Sequence, residues 1–449
     1  MHMVKVITYG TFDLLHYGHI NLLKRAKALG DYLIVGVTSD DFDKARGKIN
    51  VQQSFMERVE AIRATGLADE IIVEEYEGQK IDDIKRMGVD IFAIGSDWKR
   101  HFDYLNEYCK VVYLERTAGV SSSGIRSERR DLRIGLIGNY FSVINKFISE
   151  SKFVNGLTIS GVCSDEHNSL KDKDQKIVFF RDYKQLLQNS DAVYVASLPN
   201  KHYEQIKKAL SMGKHVLCES PITNKVSQFE KLKTIAKANR CVLMDSIKTA
   251  YSVAYFRLLL LAKSGIIGDI FSIDSTCTSQ KELKEEGDKA NYAKKWNSIC
   301  AWGPTALMPI LQLLGTEDYK ADIISHFIDT SSLFDGFTKI TFVYPHAVAS
   351  IKVGQGVKSE GELIISGTKG YIYVPAPWWK TDYFEVRFEN TNQNKRYFYQ
   401  LEGEGIRYEL VSFVKAVKEG HDDFYVSREV SREIVSLVEK FDKGRVIKI

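Results

Sequence analysis

The 449 residues predict an α/β chain: two successive parallel-sheet units, the second closed by a strand-rich open sheet. Three observations carry that expectation. Apolar, β-branched runs alternate with helically spaced segments from Val4 to Leu114 and again from Leu132 to Met244, the rhythm of parallel strands joined by crossover helices. The polar stretch Arg129-Arg130-Asp131 separates the two rhythms and reads as a hinge. Beyond residue 250 strand-like runs dominate, at 323–328, 338–343, 347–353, 363–365 and 384–388, before two helical patterns at 407–417 and 427–441. The expected division is therefore 1–130, 131–250 and 251–449.

Composition sets the class. A chain of this length exceeds one ordinary core, and 44% hydrophobic with 27% charged residues is a soluble balance. The net charge of +4, from 62 basic and 58 acidic residues, gives no global drive toward nucleic acid or membrane. The six cysteines are scattered, with no pair at zinc or redox spacing, so free thiols in a reducing cytoplasm are expected. The chain enters a strand almost at once and holds no apolar run of membrane-spanning length, so neither a signal peptide nor membrane insertion is expected.

The first unit opens with Val4, Val6 and Thr8, a β-branched strand signal, and continues with Ile20, Leu22, Leu23, Ala26 and Leu29 at helical spacing, up to Gly30. Between them lies the turn Tyr9 to His19. His16 and His19 fall at the start of the helix, where unpaired N–H groups and the helix dipole already favour an anion, and Gly18 permits a close approach. One histidine alone is commonly a capping or surface residue. Two, separated by Tyr-Gly at a strand-to-helix junction, form a far more specific constellation. Next come a buried strand at 32–38, a polar basic segment at 43–50 read as a loop, and a helix through Phe55, Val59 and Ile62 that carries Arg58. Strand runs at 70–73, 90–94 and 111–114 complete the sheet. The turns Gly95 to Trp98 and Arg116 to Ser123 also follow strands, so one crevice at the C-terminal edge can collect all three.

Residues 8–19, Thr-Tyr-Gly-Thr-Phe-Asp-Leu-Leu-His-Tyr-Gly-His, resemble the His-x-Gly-His signature of the nucleotidyltransferase superfamily, and the cytidylyltransferases acting on glycerol 3-phosphate in particular. The resemblance covers about the first 130 residues. It implies a Rossmann-like nucleotidyltransferase that couples CTP to glycerol 3-phosphate or a related polyol phosphate, releasing pyrophosphate, with the CDP-polyol feeding teichoic-acid or capsule synthesis. Carried over residue by residue, His16, His19 and Lys48 are catalytic. Tyr9, Gly10, Thr11, Phe12, Gly18, Arg46, Arg58, Asp97, Arg116, Thr117, Ser121 and Ser122 hold the nucleotide. Magnesium is expected with CTP, and Asp13 is its nearest carboxylate, as a ligand or as a clamp on its own loop.

Within 131–449, the motifs Ser197-Leu198-Pro199-Asn200-Lys201-His202, Gly213 to Pro221 and Ser264 to Ile270 resemble the Gfo/Idh/MocA oxidoreductases, implying a second Rossmann-like domain with a C-terminal α+β open sheet. The departures are specific. Tyr140 and Val143 stand where a dinucleotide fingerprint places glycines, Ser220 replaces the lysine of Glu-Lys-Pro, and Thr305 aligns with the acid/base histidine. NAD(P) is accordingly not expected there. The C-terminal sheet is expected to serve assembly into a homo-oligomer. The competing expectation is a bifunctional chain whose second half reduces a keto-sugar phosphate to supply the first.

Overall fold

The computed structural model describes residues 3–45, 51, 53–76, 78–115, 131–154, 156–164, 177–280, 292, 295–399, 401, 403–420 and 424–449. The chain separates into two compact units, Met1–Asp131 and Leu132–Ile449.

Unit 1 runs β1 (Lys5–Gly10), α1 (Tyr17–Lys27), β2 (Tyr32–Thr38), α2 (Asp40–Ala45), α3 (Phe55–Ala64), β3 (Glu70–Glu74), α4 (Gln79–Met87), β4 (Ile91–Gly95) and β5 (Lys110–Leu114). The strands pair in the order β3-β2-β1-β4-β5, all parallel. Successive residues on a strand face opposite sides, and β1 shows it: Val6 joins Leu23, Leu33 and Ile62 on one face, while Ile7 joins Ile34, Ile84 and Phe92 on the other. Each such fully buried aliphatic stabilises the sheet by about 1.5–3 kcal/mol. Both faces being covered explains why the strands read as continuous apolar runs. The order reverses between β1 and β4, so the turns after these two strands open onto one crevice.

Unit 2 begins with β6 (Leu132–Ile137), α5 (Phe141–Ser151), β7 (Leu157–Cys163), β8 (Phe179–Phe180), α6 (Tyr183–Gln188), β9 (Ala192–Val195), α7 (Pro199–Ser211), β10 (His215–Glu219), α8 (Val226–Ala238) and β11 (Leu243–Ser246). These strands form a second parallel sheet, β11-β10-β9-β6-β7-β8, with the reversal between β6 and β9. After α9 (Val253–Lys263) come β12 (Ile270–Thr278), α10 (Ser298–Leu314), β13 (Lys320–Asp329), β14 (Phe334–Val343), β15 (Val348–Gly354), β16 (Leu363–Gly367), β17 (Tyr371–Val374), β18 (Tyr383–Arg387) and β19 (Lys395–Phe398). Helices α11 (Ile406–Glu419) and α12 (Arg428–Asp442) and the short β20 (Ile447–Lys448) end the chain. The third sheet is mixed, β19-β18-β17-β16-β12-β15-β14-β13-β20. Val435 of α12 returns to the core of the second sheet beside Leu186, Ile206 and Phe229. Glu404 pins three segments together, accepting from Lys146 at 2.8 Å, Lys248 at 2.7 Å and Lys380 at 2.6 Å.

Candidate active site

The turn between β1 and α1 is tightly wound. Phe12 and Leu14 both take left-handed backbone, with φ of 54° and 49°, a conformation that costs non-glycine residues about 1–3 kcal/mol and gathers at functional sites. The Phe12 ring, 2% exposed, folds back over Gly10, where a Cβ would press on it at 3.0 Å. His16 caps α1: its Nδ1 accepts the Gly18 N–H at 3.1 Å. A neutral ring held this way carries its proton on Nε2. His19, one turn on, stacks on His16 with ring centroids 3.9 Å apart and 17° between planes, and meets Phe12 edge-on at 5.5 Å. Two imidazoles thus stand at the N-terminus of an eleven-residue helix, above a parallel-sheet edge, the surroundings that favour a phosphate.

Arg58 lies beneath this turn. Expected as a phosphate contact, its guanidinium is fully enclosed and bound to protein acceptors. Nη1 donates to the Thr11 carbonyl at 2.6 Å, the Thr38 carbonyl at 2.9 Å and Asp43 at 3.4 Å. Nη2 donates to Asp40 at 2.6 Å and Nε to the Gln53 carbonyl at 3.2 Å. Asp43 also accepts from the Thr11 hydroxyl at 2.8 Å and is wholly buried. Its place within α2 corrects the reading of 43–50 as one polar loop. Arg58 therefore ties β1, β2, α2 and α3 beneath the turn, one rigid cation satisfying carbonyls that would otherwise be buried without donors.

Asp13 follows the same logic. It is 4% exposed and accepts the Gln53 N–H at 3.0 Å, while the Gln53 side chain accepts the Leu14 N–H at 2.8 Å. Of the two roles weighed for it, this geometry favours the loop clamp. Among the described residues no group of three or more His, Cys, Asp and Glu side chains is arranged to hold a metal.

Tyr9, expected at the nucleotide, is 5% exposed and donates to Asp83 at 2.8 Å. Burial first, and the Asp83 carboxylate second, hold its hydroxyl far above the usual tyrosine range. Its ring lies against Gly36, leaving no room there for a Cβ. Lys80, which the sequence reading did not single out, sits over the Tyr9 ring at 4.8 Å and pairs with Glu74. Nothing in a helix-borne lysine announces such a place. Asp97 is exposed on the turn Ser96–Trp98 after β4, next to the exposed Trp98 ring. Arg46, Lys48, Arg116, Thr117, Ser121 and Ser122 lie outside the described residues.

The corresponding turn of unit 2 is built differently. Gly138, with φ of 139°, lies against the Ala196 backbone so closely that a Cβ would overlap the carbonyl. Tyr140 follows and stacks on Trp296, with centroids 5.8 Å apart and 24° between planes. His202 is fully buried between the Ser197 and Pro221 carbonyls, at 2.8 and 2.9 Å, and burial pushes its pKa down to about 4. The two carbonyls fix the ring in place. Glu219 receives the Tyr194 hydroxyl and is raised by burial. Ser220 follows it with no cation, and Thr305 is half-buried within α10. An aromatic pair thus stands at this turn, with Ser220 and Thr305 at the positions read for the lysine and the histidine.

Comparison with known proteins bears on both units. A cytidylyltransferase-like family profile matches residues 7–134, and an oxidoreductase family profile with an NAD-binding Rossmann fold matches 132–246. The glycerol-3-phosphate cytidylyltransferase of Bacillus spizizenii is 49% identical over 130 residues, 29% of this chain and 100% of that protein. That of Staphylococcus aureus is 44% identical over 126 residues, 28% of this chain and 95% of that protein. A 3-ketoreductase from Actinomadura kijaniata, solved with NADP and TDP-benzene, superposes with a TM-score of 0.62 at 19% identity, over 71% of this chain and 99% of its own. An oxidoreductase from Agrobacterium radiobacter gives 0.57 at 16% identity, over 69% and 94%. The two solved structures establish an oxidoreductase-type fold for unit 2. Through its first 130 residues, carrying the stacked histidine turn, the chain belongs to the glycerol-3-phosphate cytidylyltransferase family.

Proposed function

We propose that unit 1 transfers the cytidylyl group of CTP to glycerol 3-phosphate or a close polyol phosphate, giving CDP-glycerol or its analogue and pyrophosphate. The carrying observation is the pair His16 and His19, stacked at the N-terminus of α1 directly after β1. A phosphate oxygen of the acceptor attacks the α-phosphorus in line, the new P–O bond forms as the bond to the β-phosphate oxygen breaks, and pyrophosphate departs. No protein nucleophile is needed, so the protein contributes positioning and charge stabilisation. The pair offers N–H donors to the charge that develops on the α-phosphate oxygens. Magnesium arrives with the triphosphate and neutralises part of its charge. Lys48 and Arg46 are assigned to the outer phosphates through the family resemblance.

For unit 2 we infer an assembly role. Phe271, Val343 and Val348 are each at least half exposed on the neighbouring strands β12, β14 and β15, and apolar surface of this kind marks a partner-binding edge. The deciding experiment is pyrophosphate release by the purified full chain, with CTP, ATP, GTP and UTP each tested against glycerol 3-phosphate, ribitol 5-phosphate and other polyol phosphates. Turnover with CTP and a polyol phosphate is expected. No release with any acceptor would overturn the reading.

A further inference from the structure

Gln53 directly precedes Ser54, the N-cap of α3, and three of its polar groups join that helix to the histidine turn. Its side-chain Oε1 accepts the Leu14 N–H at 2.8 Å, its own N–H donates to the Asp13 carboxylate at 3.0 Å, and its carbonyl accepts the Arg58 Nε–H at 3.2 Å. The side on which Gln53 stands is rigid. Ser54 donates its N–H to Glu57 at 2.7 Å and accepts the Glu57 N–H at 3.4 Å, a closed capping box, and the next N–H, that of Phe55, goes to Asp40 at 3.1 Å. The side it reaches is strained. Phe12 and Leu14, both left-handed, flank the Asp13 that Gln53 binds, and such backbone persists only where its surroundings over-determine it.

Two residues beyond Leu14, His16 opens α1 and stacks on His19. The Leu14 N–H therefore links a fixed arm on α3 to the point from which the histidine pair is aimed. Losing the Oε1 acceptor leaves that N–H to find another partner, and the left-handed backbone has one restraint fewer. We propose that Gln53 is a positioning residue for cytidylyl transfer, acting through the Leu14 backbone to hold His16 and His19 where the α-phosphate reacts. The inference rests on the reaction proposed for unit 1. Supporting groups on rigid elements are what keep such donors in register, and a misplacement of about 1 Å costs about a hundredfold in rate.

The test is steady-state pyrophosphate release from CTP and glycerol 3-phosphate by full-length Gln53→Met and Gln53→Glu beside wild type, with urea unfolding of each. Methionine keeps the side-chain length and removes the acceptor, so kcat should fall at least tenfold while KM for CTP stays within about threefold. Glutamate keeps an acceptor for the Leu14 N–H and should return kcat to within about threefold of wild type. A methionine variant with wild-type kcat, a glutamate variant as slow as the methionine one, or a loss confined to KM would each overturn the role. A second readout needs no turnover: the ring-proton resonances of His16 and His19 should shift in Gln53→Met and return in Gln53→Glu. Unmoved resonances in a folded Gln53→Met would overturn the inference too. Shifted and rescued resonances in a chain whose wild type releases no pyrophosphate would support the positioning and count against the unit 1 reading alone.

Discussion

The two parallel sheets present the same topological opportunity and use it in opposite ways. In each, the strand order reverses beside the first strand of the unit, and a turn leads from that strand into a helix. After β1, the turn is held from below by Arg58, Asp43 and the Asp13–Gln53 pair, and two imidazoles are left at the helix start. After β6, Tyr140 and Trp296 stack over the equivalent place, and His202 is locked between carbonyls. Fold alone therefore does not decide chemistry. What separates the units is whether polar groups are kept at the crevice or replaced by a ring.

The contrast can be broken most strongly from beneath. Arg58→Met removes a buried cation facing Asp43 and backbone carbonyls, and losing one partner of such a buried pair costs about 3–5 kcal/mol. Urea unfolding should show unit 1 losing that stability while unit 2 unfolds as before. Next in size, His16→Ala and His19→Ala should each lower kcat about a hundredfold or more, since a lost transition-state donor costs roughly 2.7–4 kcal/mol. CTP affinity, read by calorimetry, should stay within a few-fold. Turnover near wild type in both variants would remove the pair from the chemistry.

A third test uses the buried acids of unit 2. Asp245 is 4% exposed, lies near Glu219 and Glu409, and is raised by burial from 3.8 to about 6. The folded carboxyl therefore holds its proton where the unfolded one has released it, so its contribution to stability falls as pH rises from about 4 through 6. Asp245→Asn should match wild type in urea near pH 4 and exceed it by up to about 3 kcal/mol above pH 7, because two pKa units correspond to that energy. The smallest expected effect is at Glu404, whose three lysine partners hold its carboxyl well below the usual range. Its side chain is partly exposed, so Glu404→Gln should cost about 1 kcal/mol, a loss that shrinks in high salt.

Much of this was legible in the sequence because it is local. Strand runs such as Tyr32–Thr38 and the junction at His16–His19 are encoded within a few residues. What was not legible depends on pairings across the fold. Arg58 looks like a solvated or phosphate-facing cation until Asp40, Asp43 and the Thr11 and Thr38 carbonyls converge on it from fifteen to forty-seven residues away. Tyr9 reads as a site residue by its place in the motif, yet its hydroxyl is claimed by Asp83, 74 residues on. Trp296 carries no local signal at all, and only the fold sets it on Tyr140. Side chains whose roles are set by distant partners need the three-dimensional structure to be assigned.

The most direct measurement is calorimetric titration of the full chain with magnesium CTP and, separately, with NAD+, NADH, NADP+ and NADPH. Saturable binding of CTP is expected, with no binding of any nicotinamide form up to millimolar concentration. Micromolar binding of a dinucleotide that persists in the His16→Ala variant would place a working cofactor crevice in unit 2 and contradict the account.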